Sequence, residues 1–322
     1  MVGVAPSTST RLDSILDLIG NTPLVRLHRL SPREGVRIWV KLEGQNPTGS
    51  VKDRIAKAMI DAACADGSLA AGQTILEPTS GNTGLALALV GRLHGHPVRC
   101  VMPESVSLER RDLLRFYGAD VVLSPGDLGS NGAVKMAQEL YAQDPSVFMP
   151  MQYENADNPG AHYRTTGPEI LRDCPEITHF VAGLGTGGTL TGVGRYLKEH
   201  KPTVKIVAAA PHPGDLVQGL RSMDEGYIPP VFDEAVLDGR IVVDSRTSFA
   251  LTKRLLEDEG IFAGISSGAA LRTAQRVAER MESGDIVVLL ADGGWKYIST
   301  GLWERDYDDI AGDETIEGQL WW

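Results

Sequence analysis

The chain has only 3 cysteines in 322 residues, Cys64, Cys100 and Cys174, and no CxxC pair among them. So sparse and odd a count excludes a disulfide framework and fits a reducing compartment. Each thiol reads as a small buried apolar group rather than a nucleophile or metal ligand, and no metal site is expected. No hydrophobic run reaches the ~20 residues of a membrane span. The first ten residues, MVGVAPSTST, carry no basic charge. They read as a flexible tail, not an export signal, and the cytoplasm is the expected location. Positive charge is also scarce: 31 Lys and Arg against 42 Asp and Glu leave a net charge of -11. That balance argues against general binding of nucleic acid or anionic membrane, yet leaves room for a local basic site.

What the chain does have is an alternation of strand and helix patterns punctuated by glycine. Strands are predicted at 37–43, 74–78, 98–103, 120–125, 177–185, 205–211 and 285–294. Helices are predicted at 51–67, 81–95, 107–118, 131–144, 189–200, 248–260 and 268–281. In the first of these, Ile55, Ala58, Met59 and Ala62 recur at helical spacing and Gly67 supplies the stop. Such alternation implies an α/β fold with mostly parallel sheets, and the length suits two of them. A seam is expected at 151–163, MQYENADNPGAHY, where Asn, Asp, Pro and Gly concentrate.

Four short stretches carry chemistry. GLGTGGTLTG (183–192) follows a predicted strand and opens a helix. Its glycine-rich backbone and the hydroxyls of Thr186 and Thr189 suit a phosphate at the positive helix end. The bland alternative is a tight turn, and neither a Walker A loop nor a clean dinucleotide fingerprint is present. EPTSGNTG (77–84) crowds Thr79, Ser80, Asn82 and Thr83 at a helix start, suited to a carboxylate. A helix cap needs only one of them. In KLEGQNPTGSVKDR (41–54), Lys52 stands just behind a Gly-Ser turn. Most lysines are merely solvated. With two anion loops beside it, this one suggests the Schiff-base lysine of pyridoxal 5'-phosphate. GISSGAA (264–270) in isolation reads as a helix cap by Ser266 or Ser267.

In this order the stretches resemble the cysteine synthase family of fold-type II pyridoxal-phosphate enzymes. The likeness runs from IGNTPLVRL (19–27) to DGGWKYIST (292–300) and includes TTGPEI (165–170). It implies two α/β domains: a smaller mobile one at 46–156, and a larger one formed by 12–45 with 157–306. It implies that Lys52 forms the internal aldimine and then serves as acid and base at Cα. Asn82 would meet the 3' oxygen of the cofactor, Ser266 its ring nitrogen, and Gly185, Thr186, Gly187, Gly188 and Thr189 its phosphate. Thr79, Ser80, Asn82, Thr83 and Gln152 would bind the substrate carboxylate. The implied reaction is β-replacement on an amino acid through an aminoacrylate, yielding cysteine, in a homodimer.

The chain departs from the commoner members at Gln218-Gly219-Leu220-Arg221-Ser222-Met223, where those enzymes carry Gln-Gly-Ile-Gly-Ala-Gly. An arginine in place of glycine offers a two-pronged donor set matched to phosphate. The acidic end at 307–322, closing on EGQLWW, reads as a tail that folds over the cleft. Both features resemble the O-phosphoserine-dependent actinobacterial branch of the family, which takes sulfur from a thiocarboxylated carrier protein. The readings kept beside it are an O-acetylserine sulfhydrylase using sulfide, a cystathionine β-synthase, a serine or threonine dehydratase, a catalytically silent scaffold and a nicotinamide oxidoreductase.

Overall fold

A computed structural model describes residues 11–79, 81–106, 108–215, 217–225 and 228–311. Its strands are β1 (Leu24–Arg26), β2 (Val36–Leu42), β3 (Ile75–Pro78), β4 (Val98–Pro103), β5 (Asp120–Ser124), β6 (His179–Gly183), β7 (Lys205–Pro211), β8 (Gly239–Val243) and β9 (Gly284–Leu290). They form a six-stranded sheet in the order β1-β2-β9-β6-β7-β8 and a three-stranded sheet in the order β3-β4-β5. All neighbours run parallel except β1 with β2.

Side-chain alternation explains the layers of the larger sheet. Along β9, Ile286, Val288 and Leu290 face one core with α8 (Ser245–Glu259) and α9 (Ser266–Ala278). Val287 and Leu289 face the other, against α6 (Gly167–Asp173) and α7 (Gly188–His200). A strand apolar on both faces belongs in the middle of a covered parallel sheet. Around the smaller sheet, α1 (Lys52–Asp66), α2 (Asn82–Leu93) and α3 (Leu108–Phe116) contribute to one core. The opposite core takes Ala133 and Ala137 from α4 (Gly129–Gln143). Each fully buried Ile, Leu or Val contributes roughly 1.5–3 kcal/mol.

Three sequence expectations need correction. The helix predicted to start at 248 begins at Ser245, because the Asp244 side chain accepts a hydrogen bond from the Thr247 amide at 2.7 Å. The seam expected at 151–163 is irregular only to Ala156. The Asn155 side chain accepts from the Asp157 amide at 2.9 Å where α5 (Asp157–Ala161) starts, and proline is tolerated in a first helical turn. A π-helical turn (His162–Thr166) then joins α5 to α6. Finally, Cys100 and Cys174 are buried as expected, but Cys64 is exposed.

A buried charge network ties the start of α1 to the larger sheet. Arg54 reaches Glu43 at 2.7 and 2.8 Å, and both oxygens of Glu169 at 2.7 Å. Lys41 lies 2.7 Å from Glu169 and donates to the Thr22 carbonyl at 2.6 Å. Among the described residues no helix is long and apolar enough to cross a membrane. Of the tail expected at 307–322 to cover the cleft, the start forms a short helix, α10 (Tyr307–Ala311), whose Tyr307 ring packs on Phe249 of α8, and 312–322 lie outside the described residues.

Candidate active site

The functional loops leave the carboxyl ends of parallel strands, the usual ligand position in α/β sheets. β3 leads to Thr79 and α2, β6 to the glycine loop and α7, and β7 to the segment holding Arg221. They converge on a cleft of about 620 Å³ lined by Lys52, Thr79, Asn82, Gln152, Gly185 and Arg221 among others. That volume falls within the range of small-molecule sites. A smaller cavity opens beside it, lined by Lys52, Asn82, Thr186, Gly187, Thr189 and Ser266.

Lys52 is the first residue of α1 and faces both cavities. Burial pulls its pKa down to about 8, against the opposing pull of Asp292. A buried amine with a lowered pKa is a stronger nucleophile at neutral pH than a surface lysine.

The glycine loop has backbone demands that explain its composition. Gly187 adopts φ +84°, and a Cβ there would fall 2.5 Å from Phe232. A Cβ at Gly188 would fall 1.9 Å from the Asn158 side-chain oxygen. Thr186 accepts from the Gly188 amide at 3.3 Å, and Thr189 hydrogen-bonds His162 Nε2 at 3.2 Å. Burial, with Arg54 and Lys52 nearby, holds the His162 pKa well below its ordinary value, so the imidazole is neutral.

On the carboxylate side, α2 has no side-chain cap, so the hydroxyls of its first turn are not consumed as one. Thr83 donates to Gln152 Oε1 at 2.8 Å. Glu77 in turn holds Gln152: its buried carboxylate accepts from the Met151 and Gln152 amides at 2.9 and 3.1 Å. Met151 sits at φ +53°, unusual for a non-glycine residue, and these bonds oppose its relaxation. Burial raises the Glu77 pKa to about 7. Ser80 lies outside the described residues.

Ser266 also proves not to be a cap. It is the first residue of α9 with no side-chain capping bond, and it lines the smaller cavity. Arg221 stands in the cleft wall with its guanidinium carbon 5.4 Å from the Tyr153 ring centre, its amide anchored to the Leu184 carbonyl at 2.7 Å.

Sequence reasoning missed the floor of the cleft. Asn82 donates to Asp292 at 2.7 Å and accepts from Lys296 at 2.5 Å, while Tyr297 donates to Asp292 at 2.6 Å. Burial lowers Lys296 to about 8. Arg110, from α3, packs against the Tyr297 ring at 5.7 Å. The quoted DGGWKYIST contained three of these residues, but only the fold brings them within reach of Asn82.

This donor set fits pyridoxal phosphate. An amine with lowered pKa stands beside a loop whose glycines leave no room for side chains, at the amino end of α7. Ser266 lines that same cavity.

The comparisons agree. Residues 15–293 match the family model described as pyridoxal-phosphate dependent enzyme. A cysteine synthase of Staphylococcus aureus is 43% identical over 305 residues, spanning 92% of this chain and 98% of that protein. An O-ureido-L-serine synthase structure superposes with TM-score 0.87 at 41% identity, covering 94% of this chain and all of the other. A cysteine synthase structure from Entamoeba histolytica superposes with TM-score 0.89 at 33% identity, covering 99% and 97%.

Proposed function

The chain belongs to the pyridoxal-phosphate dependent enzymes, in the fold-type II group that includes the cysteine synthases, and from that premise we propose that it makes L-cysteine by β-replacement on O-phospho-L-serine. When bound, pyridoxal phosphate supplies the electron sink that makes the substrate Cα proton acidic and the β substituent a leaving group.

The chain's own residues supply the rest. Gly185, Thr186, Gly187, Gly188 and Thr189 hold the cofactor phosphate at the start of α7, where backbone amides and the helix field favour an anion. Asn82 and Ser266 hold the ring, and Ser266 offers a neutral hydroxyl rather than a charge. Thr79, Asn82, Thr83 and Gln152 take the substrate carboxylate, with Ser80 proposed to join them. Lys52 would accept the substrate's Cα proton on Nζ. The phosphate leaves with its electron pair toward Arg221, and a sulfur nucleophile bonds to Cβ. Lys52 then returns the proton to Cα.

Arg221 carries the donor assignment. It is a guanidinium in the cleft wall of a protein with net charge -11, and a neutral acetyl ester gives it no anion to bind. The same reading takes the sulfur from a thiocarboxylated carrier protein and places the enzyme in the cytoplasm as a homodimer. It gives the 46–156 region the freedom to close on the cleft, and it assigns the 307–322 tail a covering role. O-Acetylserine with sulfide is the second reading, favoured by the likeness to a solved O-acetylserine sulfhydrylase of Entamoeba histolytica.

Steady-state kinetics of Arg221→Ala with both esters test the choice. Loss of a two-pronged charged contact predicts a fall in kcat/KM of about 100-fold for O-phosphoserine. O-Acetylserine should change by less than about threefold. Equal falls, or a wild-type preference for O-acetylserine, would sink the phosphate role of Arg221.

A further inference from the structure

Arg110 is a cleft cation to which the proposed reaction assigns no task. It rises from the first turn of α3, lines the cleft, and packs its guanidinium carbon 5.7 Å from the Tyr297 ring centre. Buried arginines are ordinarily held by carboxylates, as Arg54 is held by Glu43 and Glu169. Among the described residues Arg110, half-buried, makes no ion pair and donates no hydrogen bond. Its charged neighbours are Asp292, Glu109 and Lys296. Asp292 Oδ2 is already taken by Asn82 and Tyr297. Burial lowers the pKa of Arg110, as expected for a cation short of partners.

The identity of its anion follows by elimination. The smaller cavity, which would hold the cofactor phosphate, is not lined by Arg110. The substrate carboxylate has its own hydroxyls and Gln152. What remains is the chemistry at the substrate's β-carbon, where one anion departs toward Arg221 and another arrives. We infer that Arg110, with Lys296 beside it, forms a second anion subsite of the cleft for a group that leaves or attacks at that carbon. The planar fork of donors receives either an oxyanion or a sulfur anion. In the departing case the bond from Cβ to oxygen breaks and its electron pair goes with the leaving group. In the arriving case the lone pair of the sulfur anion forms the new bond to Cβ.

This inference rests on the β-replacement reading, and two measurements on the holoenzyme keep the two apart. The first is a calorimetric titration with inorganic sulfate of wild type, Arg110→Gln and Arg110→Lys, each checked for native circular dichroism and bound cofactor. Loss of a charged fork should weaken sulfate binding about tenfold or more in the Gln variant, and less in the Lys variant, which keeps the charge. The second is single turnover in two halves: release of leaving group from the serine ester without sulfur, then cysteine formation on adding hydrosulfide. A slowed first half assigns the subsite to the departing anion, and a slowed second half assigns it to the nucleophile. Unchanged sulfate binding with both halves within twofold of wild type overturns the inference. Wild-type enzyme that releases no leaving group from either ester would instead sink the β-replacement reading, while the sulfate titration still decides on Arg110.

Discussion

Glu169 is the residue on which the buried charge network depends. Its carboxylate faces Arg54 through two 2.7 Å bonds and Lys41 at 2.7 Å, and it accepts from the Asn21 amide at 2.9 Å. Although burial opposes ionisation, Arg54 and Lys41 overcome it and hold the carboxyl at about 2, below its ordinary 4.5. That depression corresponds to roughly 3 kcal/mol of stability at neutral pH. Mutational experience with buried pairs gives about 3–5 kcal/mol when one partner is removed. The two figures agree, so Glu169→Gln should cost about 3 kcal/mol at pH 7. In a chain of this length that lowers the melting temperature by about 5 °C. The sign of the pH dependence follows from a lowered carboxyl: its stabilisation is complete above 4.5 and fades as pH falls toward 2. The gap between variant and wild type should therefore close as the solution is acidified from pH 7 toward 3. Urea denaturation followed by circular dichroism at several pH values measures it. A pH-independent gap, or a loss below 1 kcal/mol at pH 7, would refute the reasoning. Arg54 lies two positions after Lys52, so the variant should also lose activity beyond what its stability explains.

Other perturbations have equally definite outcomes. Lys52→Ala should keep the fold, lose the visible absorbance of lysine-bound cofactor and lose at least about 10³-fold in turnover. The rate at which apoprotein captures pyridoxal phosphate should rise with pH and level off above about 8, where Lys52 is neutral; a rise continuing toward 10 would contradict its lowered pKa. Gly188→Ala forces a Cβ to within 1.9 Å of Asn158, and the displaced loop should weaken cofactor binding about tenfold or more by absorbance titration. Glu77→Gln exchanges one amide acceptor for a donor, which should raise KM for the amino acid about tenfold with kcat within threefold. Wild-type KM should rise as Glu77 gains its proton below about 7, and that limb should be absent in the variant.

Local rules made most of the scaffold legible. The apolar periods placed the long helices, and the glycines marked their ends. The phosphate loop was readable because its need for small residues is written in consecutive positions. β8 was missed because its five residues sit at the sheet edge, half-buried, after a long irregular stretch. The α5–α6 rod was missed because Asn, Pro and Gly mark helix starts as readily as loops. Asp292, Lys296 and Arg110 were out of reach for another reason. Their meaning lies in contact with Asn82 or Tyr297, and for Asn82 and Asp292 that contact spans 210 positions. His162 likewise gains its role only when the π turn places it under Thr189.

That π turn sets the chain's tolerance of length change. Inserting one more residue beside it, which the turn has no further slack to absorb, would turn everything beyond by about 100°. His162, within the turn, holds Thr189 on α7, and Glu169, just past it, holds Arg54 on α1. Both contacts come from one continuous rod, so a change of phase between them breaks one or the other. Length variation among related chains should accordingly spare this rod, and an insertion scan should find it closed.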